Sequence, residues 1–260
     1  MFNFFKKKKP IEDFVDTDEY IEDYSNVEII ANYFHNETGI TFDTQISILN
    51  SKVSGFCKKR AIASYTQLLS DVQSLPSLRQ ELIDHLTTNE TYFYRELKQI
   101  HQLVKLVKES PSSHIDILCA PSATGEEPYS IAIALLEAGV SPSKFHILGI
   151  DINADAIQKA KTALYTQRNV RNLSDAIISK YFIKDASTYR LKDTIKSLIS
   201  FKITNIFDSS FKDIGSFDFV FSRNMLIYFD KETKLKAKAI LEKLRKDNDH
   251  DVFFGHADLF

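Results

Sequence analysis

The chain has 260 residues, 43% of them hydrophobic and 26% charged, with a formal net charge of −2. That length holds one large domain or a large and a small one, and the near balance of charge argues against bulk nucleic-acid binding, which draws on a basic face. No apolar run reaches transmembrane length, no signal peptide opens the sequence, and Cys57 and Cys119 stand far apart without metal-ligand spacing, so a cytoplasmic protein with no metal site is expected.

Residues 1–25 form a charged tail. Phe2, Phe4 and Phe5 precede Lys6, Lys7, Lys8 and Lys9, and seven acids follow between Glu12 and Asp23. It reads as a solvated segment; as a docking arm, its aromatics beside lysines could meet an anionic surface. From residue 26 to about 95 the pattern is helical. Val27, Ile29, Ile30, Tyr33 and Phe34 recur near a 3.6-residue period in a helix that Gly39 could end. The run TFDT at 41–44 resembles a helix start leading into Ile46, Ile48, Leu49 and Val53. Lys52, Lys58, Lys59 and Arg60 give this second helix a basic flank, either a solvated face or a dock for an acidic protein helix. Two more helices are predicted, from about 64 to 69 and over 77–86.

The stretch TNETYFYRE at 88–96 is dense in polar and aromatic side chains. Asn89 and Thr91 offer short polar groups, Tyr92, Phe93 and Tyr94 an aromatic wall, and Arg95 a guanidinium fork. These could equally be helix caps and core. An apolar strand at 114–119 then runs into CAPSATGEEPYS at 119–130 and a helix whose first turn carries Glu126, Glu127 and Pro128. A second apolar strand at 145–150 ends on Asp151. Strand, small-residue turn, helix, strand and acid is the layout of a nucleoside-binding α/β unit, in which the acid accepts from a ribose. Here one glycine, Gly125, replaces the G-x-G-x-x-G run of dinucleotide sites, and two acids stand where a pyrophosphate would sit. Acids there suit a cationic ligand such as the amino acid end of S-adenosylmethionine.

Residues 153–164 read as the next helix, with Ala154, Ile157, Ala160 and Ala163 on one face. Between about 175 and 203 the character changes. The segments 181–183, 188–191 and 199–203 are short and separated by polar turns; the last two could be small antiparallel strands, and 191–198 could equally be helical. Residues 203–206 return to the sheet at Asn205 and Ile206. A buried strand at 217–221 leads to Ser222, Arg223, Asn224 and Tyr228, which should face the site because ligands lie outside the carboxyl ends of such strands. Tyr228 reads equally as a core aromatic. An amphipathic helix at 231–244 and a last strand at 252–257 follow. With the sequence stopping at Phe260, a closing hairpin is expected to be missing or trimmed.

The strings TNETYFYRE (88–96), PSATGEEPYSI (121–131), DIN (151–153), TNIFD (204–208), FSRNMLIYFD (221–230) and GHA (255–257) occur in that order. Together they resemble the CheR family of chemotaxis receptor methyltransferases over roughly residues 26–260. The resemblance implies an α/β fold: a Rossmann-like, class I S-adenosylmethionine-dependent methyltransferase sheet over 96–260. It also implies an N-terminal helical domain over 26–95 and a small inserted β-subdomain near 175–203. It implies methyl transfer from S-adenosylmethionine to glutamates on the cytoplasmic helices of chemoreceptors, leaving S-adenosylhomocysteine. By position, Asn89, Thr91 and Arg95 would line the cofactor site. Glu127, or its neighbour Glu126, would hold the methionine ammonium, and Asp151 the ribose hydroxyls. Asn205 and Ile206 would flank the adenine, and Ser222 and Arg223 the far side. Arg95 and Tyr228 would stand nearest the methyl group and the incoming carboxylate, and Lys52, Lys58, Lys59 and Arg60 could dock the receptor's acidic helix. Tyr94 replaces the more usual phenylalanine, and residues 245–251 replace a proline-glycine turn.

The chemistry fits what the sequence lacks. A glutamate is ionised at pH 7, so its methylation needs no strong base, only in-line positioning and exclusion of water. Arg95 is expected to orient the carboxylate by a charge-assisted bond and Tyr228 to add a second hydrogen bond. Two other readings are a methyltransferase of the same fold with another acceptor, and a non-catalytic module that senses the cofactor or scaffolds a receptor array. No nucleic-acid partner is expected, membrane proximity would come through the receptor, and a monomer suffices.

Overall fold

The computed structural model describes residues 23–247 and 249–258; most of the predicted charged tail, with its lysine cluster at 6–9, lies outside the described residues. Four helices open the chain: α1 (Glu28–Thr38), α2 (Ile46–Lys59), α3 (Tyr65–Ser74) and α4 (Pro76–Leu86). Each start or stop has a local cause. Gly39 ends α1 at φ 75°, its N–H donating to the His35 carbonyl at 2.7 Å. Ser64 caps α3 by accepting from the Gln67 amide at 3.1 Å, and Pro76 occupies the first turn of α4. Leu49, Val53, Phe56 and Cys57 make the buried stripe of α2, and they pack with Ile30, Phe34, Leu68, Val72, Leu82 and Leu86 into a core of their own.

A linker then reaches α5 (Leu97–Glu109) and the α/β unit: β1 (Ile115–Cys119), α6 (Glu126–Glu137), β2 (Phe145–Asp151) and α7 (Ala154–Thr162). After α7 come β3 (Leu164–Thr166), α8 (Gln167–Val170), α9 (Asp175–Tyr181), β4 (Phe182–Asp185), β5 (Thr188–Leu191) and α10 (Asp193–Lys196). The chain continues through β6 (Ile199–Ile203), β7 (Phe219–Ser222), α11 (Lys231–Glu242) and β8 (Phe253–Phe254). Strands β6-β2-β1-β7-β8 form one sheet in which every neighbour pair is parallel. In β1, Ile117, Leu118 and Cys119 are all buried, as a central parallel strand covered on both faces requires. One apolar cluster packs α5 and α6 on one side, and another packs Leu118, Val220, Leu226 and Leu241 on the other.

The region expected to hold an inserted β-subdomain differs from the sequence reading in two ways. Ile199–Ile203 is not part of a small antiparallel sheet. It runs parallel to β2, Ile147 opposite Ile199 and Asp151 opposite Ile203, as the edge of the main sheet. The antiparallel sheet is β3-β5-β4, and its first strand, Leu164–Thr166, was expected at the end of a helix. That helix stops at Thr162 because Ala163 turns left-handed, φ 54°, and donates to the Lys159 carbonyl at 2.8 Å. Between β5 and β6 the open alternative resolves to a short helix, α10.

Candidate active site

The carboxyl ends of β1, β2 and β7 open into a cavity of about 450 Å³, closed by the α1–α2 loop, the start of α2, the α4–α5 linker and residues 223–229. A small-molecule site typically occupies roughly 300–1,000 Å³.

The β1–α6 turn forms its first wall. Ser122 donates its amide to the Ile150 carbonyl at 2.7 Å, Ala123 is left-handed at φ 45°, and Gly125 has φ 93°. A Cβ on Gly125 would lie 3.0 Å from both Ala160 Cβ and the Tyr129 ring, so the turn needs glycine for backbone shape and for space. The two acids that follow have separate jobs. Glu126 is fully buried, and its oxygens accept from Thr124 Oγ1 at 2.6 Å and Asn169 Nδ2 at 2.6 Å. Burial raises its pKa. Glu127 lines the cavity, takes the Nε–H of Arg223 on Oε2, and leaves Oε1 buried without a partner. A buried acceptor left unpaired costs about 1–3 kcal/mol, which a cationic ligand group would recover.

Asp151 forms the second wall. Its Oδ2 accepts from the Ala123 amide at 2.8 Å and its Oδ1 from the Asn153 amide at 2.9 Å. Burial still pushes its pKa up to about 6. Asn153 caps α7 through the Ala156 amide at 2.7 Å and donates from Nδ2 to Thr87 Oγ1 at 2.7 Å. From α4, Asp84 accepts from the Ala154 amide at 2.7 Å. These bonds tie the helical segment to the strand end that carries Asp151. Asn205 and Ile206 line the cavity after β6. The Asn205 side-chain amide donates to the Glu37 carbonyl of α1 at 2.6 Å and accepts from the Phe207 amide of its own turn at 3.0 Å.

The third wall carries Arg223, Asn224 and Tyr228. Arg223 donates from Nη1 to the Arg95 carbonyl at 2.7 Å, so one guanidinium joins Glu127 to the α4–α5 linker. Ser222 is fully buried in β7, its hydroxyl without a hydrogen-bond partner, and does not line the cavity. Arg223, the first residue past the strand, reaches the cavity. Tyr228 is 36% exposed rather than core. Burial raises its phenol pKa, with the Arg95 guanidinium pulling the other way.

The linker from residue 87 to 96 holds the last residues. Phe93 is core, edge-on to Tyr165 at 4.8 Å and to Phe182 at 5.3 Å. That anchor leaves Asn89, Thr91, Tyr92 and Arg95 on the cavity wall. Arg171 stacks over Tyr92 at 3.7 Å, and the Arg95 guanidinium has one long bond, to the Glu90 carbonyl at 3.3 Å. Of the four expected docking cations, Lys52 alone lines the cavity, its ammonium 3.3 Å from the Leu86 carbonyl. Arg60 is bound to Glu81 at 2.6 Å, and Lys58 stands 5.7 Å from the Tyr24 ring. Sequence reasoning missed the apolar Ile40, Phe42 and Ile48 wall; Ile48 lies off the buried stripe of α2, a signal of some other use. It also missed the Asp84 latch. Among the described residues no cluster of His, Cys, Asp or Glu could hold a metal, and no helix is long and apolar enough to cross a membrane.

Comparison with known proteins bears on this cavity. Residues 89–260 match the family described as "CheR methyltransferase, SAM binding domain". A chemotaxis protein methyltransferase of Campylobacter jejuni is 34% identical over 223 residues, covering 85% of this chain and 84% of that protein. Chemotaxis protein methyltransferase 2 of Vibrio cholerae is 31% identical, covering 87% and 83%. A chemotaxis protein methyltransferase of Borreliella burgdorferi is 30% identical, covering 86% and 84%. The walls fit such a cofactor on their own chemistry: an unpartnered carboxylate oxygen at Glu127 for a cation, Asp151 for hydroxyls, and Ile206 for an apolar ring face.

Proposed function

The chain belongs to the CheR methyltransferase family, with S-adenosylmethionine as cofactor, and on that premise we propose that it esterifies glutamate side chains of chemoreceptors. One observation carries the reading. The same cavity holds a buried carboxylate with a free oxygen, Glu127, together with two donors available to an anion, Arg95 and Tyr228.

Glu127 would hold the ammonium of the cofactor, Asp151 its ribose, and Asn205 and Ile206 its base, with Asn89, Thr91 and Arg223 completing the wall. Bound there, the cofactor supplies a methyl group on positively charged sulfur. The chain's own residues do the rest by placement. Arg95 orients the incoming carboxylate with its fork, and Tyr228 adds a hydroxyl hydrogen bond. Neither has to move a proton, because the acceptor is already ionised near neutral pH. Ile40, Phe42 and Ile48 give the cavity an apolar wall, against which a seated acceptor carboxylate would lose part of its water and be less screened from the sulfonium. Lys52, Lys58 and Lys59 would meet the acidic face of the receptor helix. Arg60 contributes less, since Glu81 already neutralises it.

The test is incubation with methyl-labelled S-adenosylmethionine and chemoreceptor-bearing membranes, followed by base. Release of labelled methanol from the receptor identifies a carboxyl methyl ester, the product that glutamate methylation requires. Label that survives base points to another acceptor, and cofactor binding without transfer to a sensor or scaffold; either result ends the proposal.

A further inference from the structure

Asp258 is a charged side chain only 2% exposed, and nothing in the reading above uses it. It follows β8 on a short turn and reaches back to the corner after β7. Its Oδ2 accepts from the Asn224 amide at 2.5 Å and from the Gly255 amide at 3.2 Å. Asn224 lies in the left-handed region, φ 60°, which asparagine enters more readily than other non-glycine residues, and its neighbours hold it there. Gly255 shows how tightly they do so. A Cβ on Gly255 would lie 3.0 Å from Asp258 Oδ2, 3.1 Å from Asn224 N and 3.3 Å from Arg223 Cα. Strand end, carboxylate and corner are therefore in backbone contact. Burial raises the Asp258 pKa, and the amides of Asn224, Gly255, Ile227 and Leu226 oppose that rise.

This corner carries two residues of the site, and they are held differently. Arg223 has anchors of its own, on Glu127 and on the Arg95 carbonyl. Tyr228 ends the single turn Leu226–Tyr228, whose outer contact is the Tyr228 carbonyl accepting from Thr41 N at 3.0 Å. We propose that Asp258 is a positioning residue for the transfer step, its carboxylate tying the Asn224 amide to the Gly255 turn and so fixing the corner from which Tyr228 meets the acceptor. The proposal rests on the glutamate-methylation reading for its effect on rate, and on geometry alone for the clamp.

Two measurements on the full chain test it. In Asp258→Ala, kcat for methyl transfer should fall about 100-fold, the scale of an ångström of misplacement, while the cofactor Kd by calorimetry moves less than about threefold. Asp258→Asn keeps the shape and one acceptor oxygen and should recover part of that loss. Amide hydrogen exchange at Asn224 and Gly255 should quicken in Asp258→Ala with the rest of the sheet unchanged. An unaltered kcat, or a Kd lost in step with kcat and melting temperature, overturns the clamp. If the wild type methylates no receptor while exchange at these two amides still quickens, the glutamate reading fails and the clamp stands.

Discussion

Arg223 gives its Nε–H to one oxygen of Glu127 and leaves the other oxygen buried without a partner, with the side chains 2% and 9% exposed. The pair is half satisfied by design of the wall. Removing one charge from a buried pair strands the other, at a cost of about 3–5 kcal/mol. Glu127→Gln should therefore lower stability by about 3 kcal/mol and cofactor affinity by roughly 100-fold, since a bond to a charged group is worth about 1.5–3 kcal/mol. Glu126→Gln is the contrast: its oxygens already serve Thr124 and Asn169, so affinity should hold. Calorimetry on both variants decides, and equal losses would reject the division of labour between the two acids.

The pKa of Asp151 sets a pH window. Burial raises it to about 6, so the cofactor-free protein takes up a proton there as pH falls through that value. Ribose hydroxyls donate better to a carboxylate than to a neutral acid, so cofactor affinity should be about tenfold weaker at pH 5 than at pH 7. For the free protein the sign is opposite. A raised carboxyl contributes stability in full below its ordinary pKa of 3.8 and loses it as pH rises through about 6. Asp151→Asn should bind weakly at both pH values and lose the step between them. A wild-type affinity flat from pH 7 to pH 5 would remove Asp151 from the ribose contact.

The left-handed turns make a backbone prediction. Gly139, φ 79°, has open space where a Cβ would go, whereas Gly125, φ 93°, has Ala160 and Tyr129 at 3.0 Å. Gly139→Ala should cost about 1 kcal/mol from conformation alone. Gly125→Ala should cost at least twice that, and it should disturb the cofactor wall because the turn at Ala123 donates to Asp151. Denaturant unfolding of both variants gives the comparison, and equal losses would show that the turn tolerates a side chain.

How far the sequence reached depended on how local each cause was. The β1–α6–β2 unit was legible because apolar runs are bounded by Gly125 and Asp151, and the first turn of α6 announces itself with acids. The choice between Glu126 and Glu127 was not, because it depends on Asn169, 43 residues away. The conformation of Ile199–Ile203 could be read, but its sheet could not, since membership was decided by the free edge of β2. The break at Ala163 carries no glycine or proline to mark it. Lys52 and Arg60 look alike in a basic run; one lines the cavity and the other is consumed by Glu81 on another helix. The Asp84–Ala154 latch and Asp258 are long-range bonds without any motif.

Arg95 and Tyr228 carry the last prediction, and the structure explains why their loss should act on rate. The Arg95 guanidinium has one weak internal bond, 3.3 Å to Glu90 O, and stands 5.7 Å from the Tyr92 ring, so the fold leans little on it. Its backbone carbonyl, which Arg223 does use, survives substitution. Arg95→Ala should therefore melt close to wild type while kcat falls about 100-fold or more, the loss of a preorganised charge-assisted donor. Among the described residues the Tyr228 hydroxyl has no hydrogen-bond partner to lose, so Tyr228→Phe should keep its stability and cost about tenfold in kcat, one neutral hydrogen bond. Arg95→Lys separates charge from shape. If a point charge were enough, lysine would restore turnover; if the planar fork orients the carboxylate, lysine stays well below wild type. Turnover near wild type in both Arg95→Ala and Tyr228→Phe would mean that the acceptor carboxylate is held by other groups.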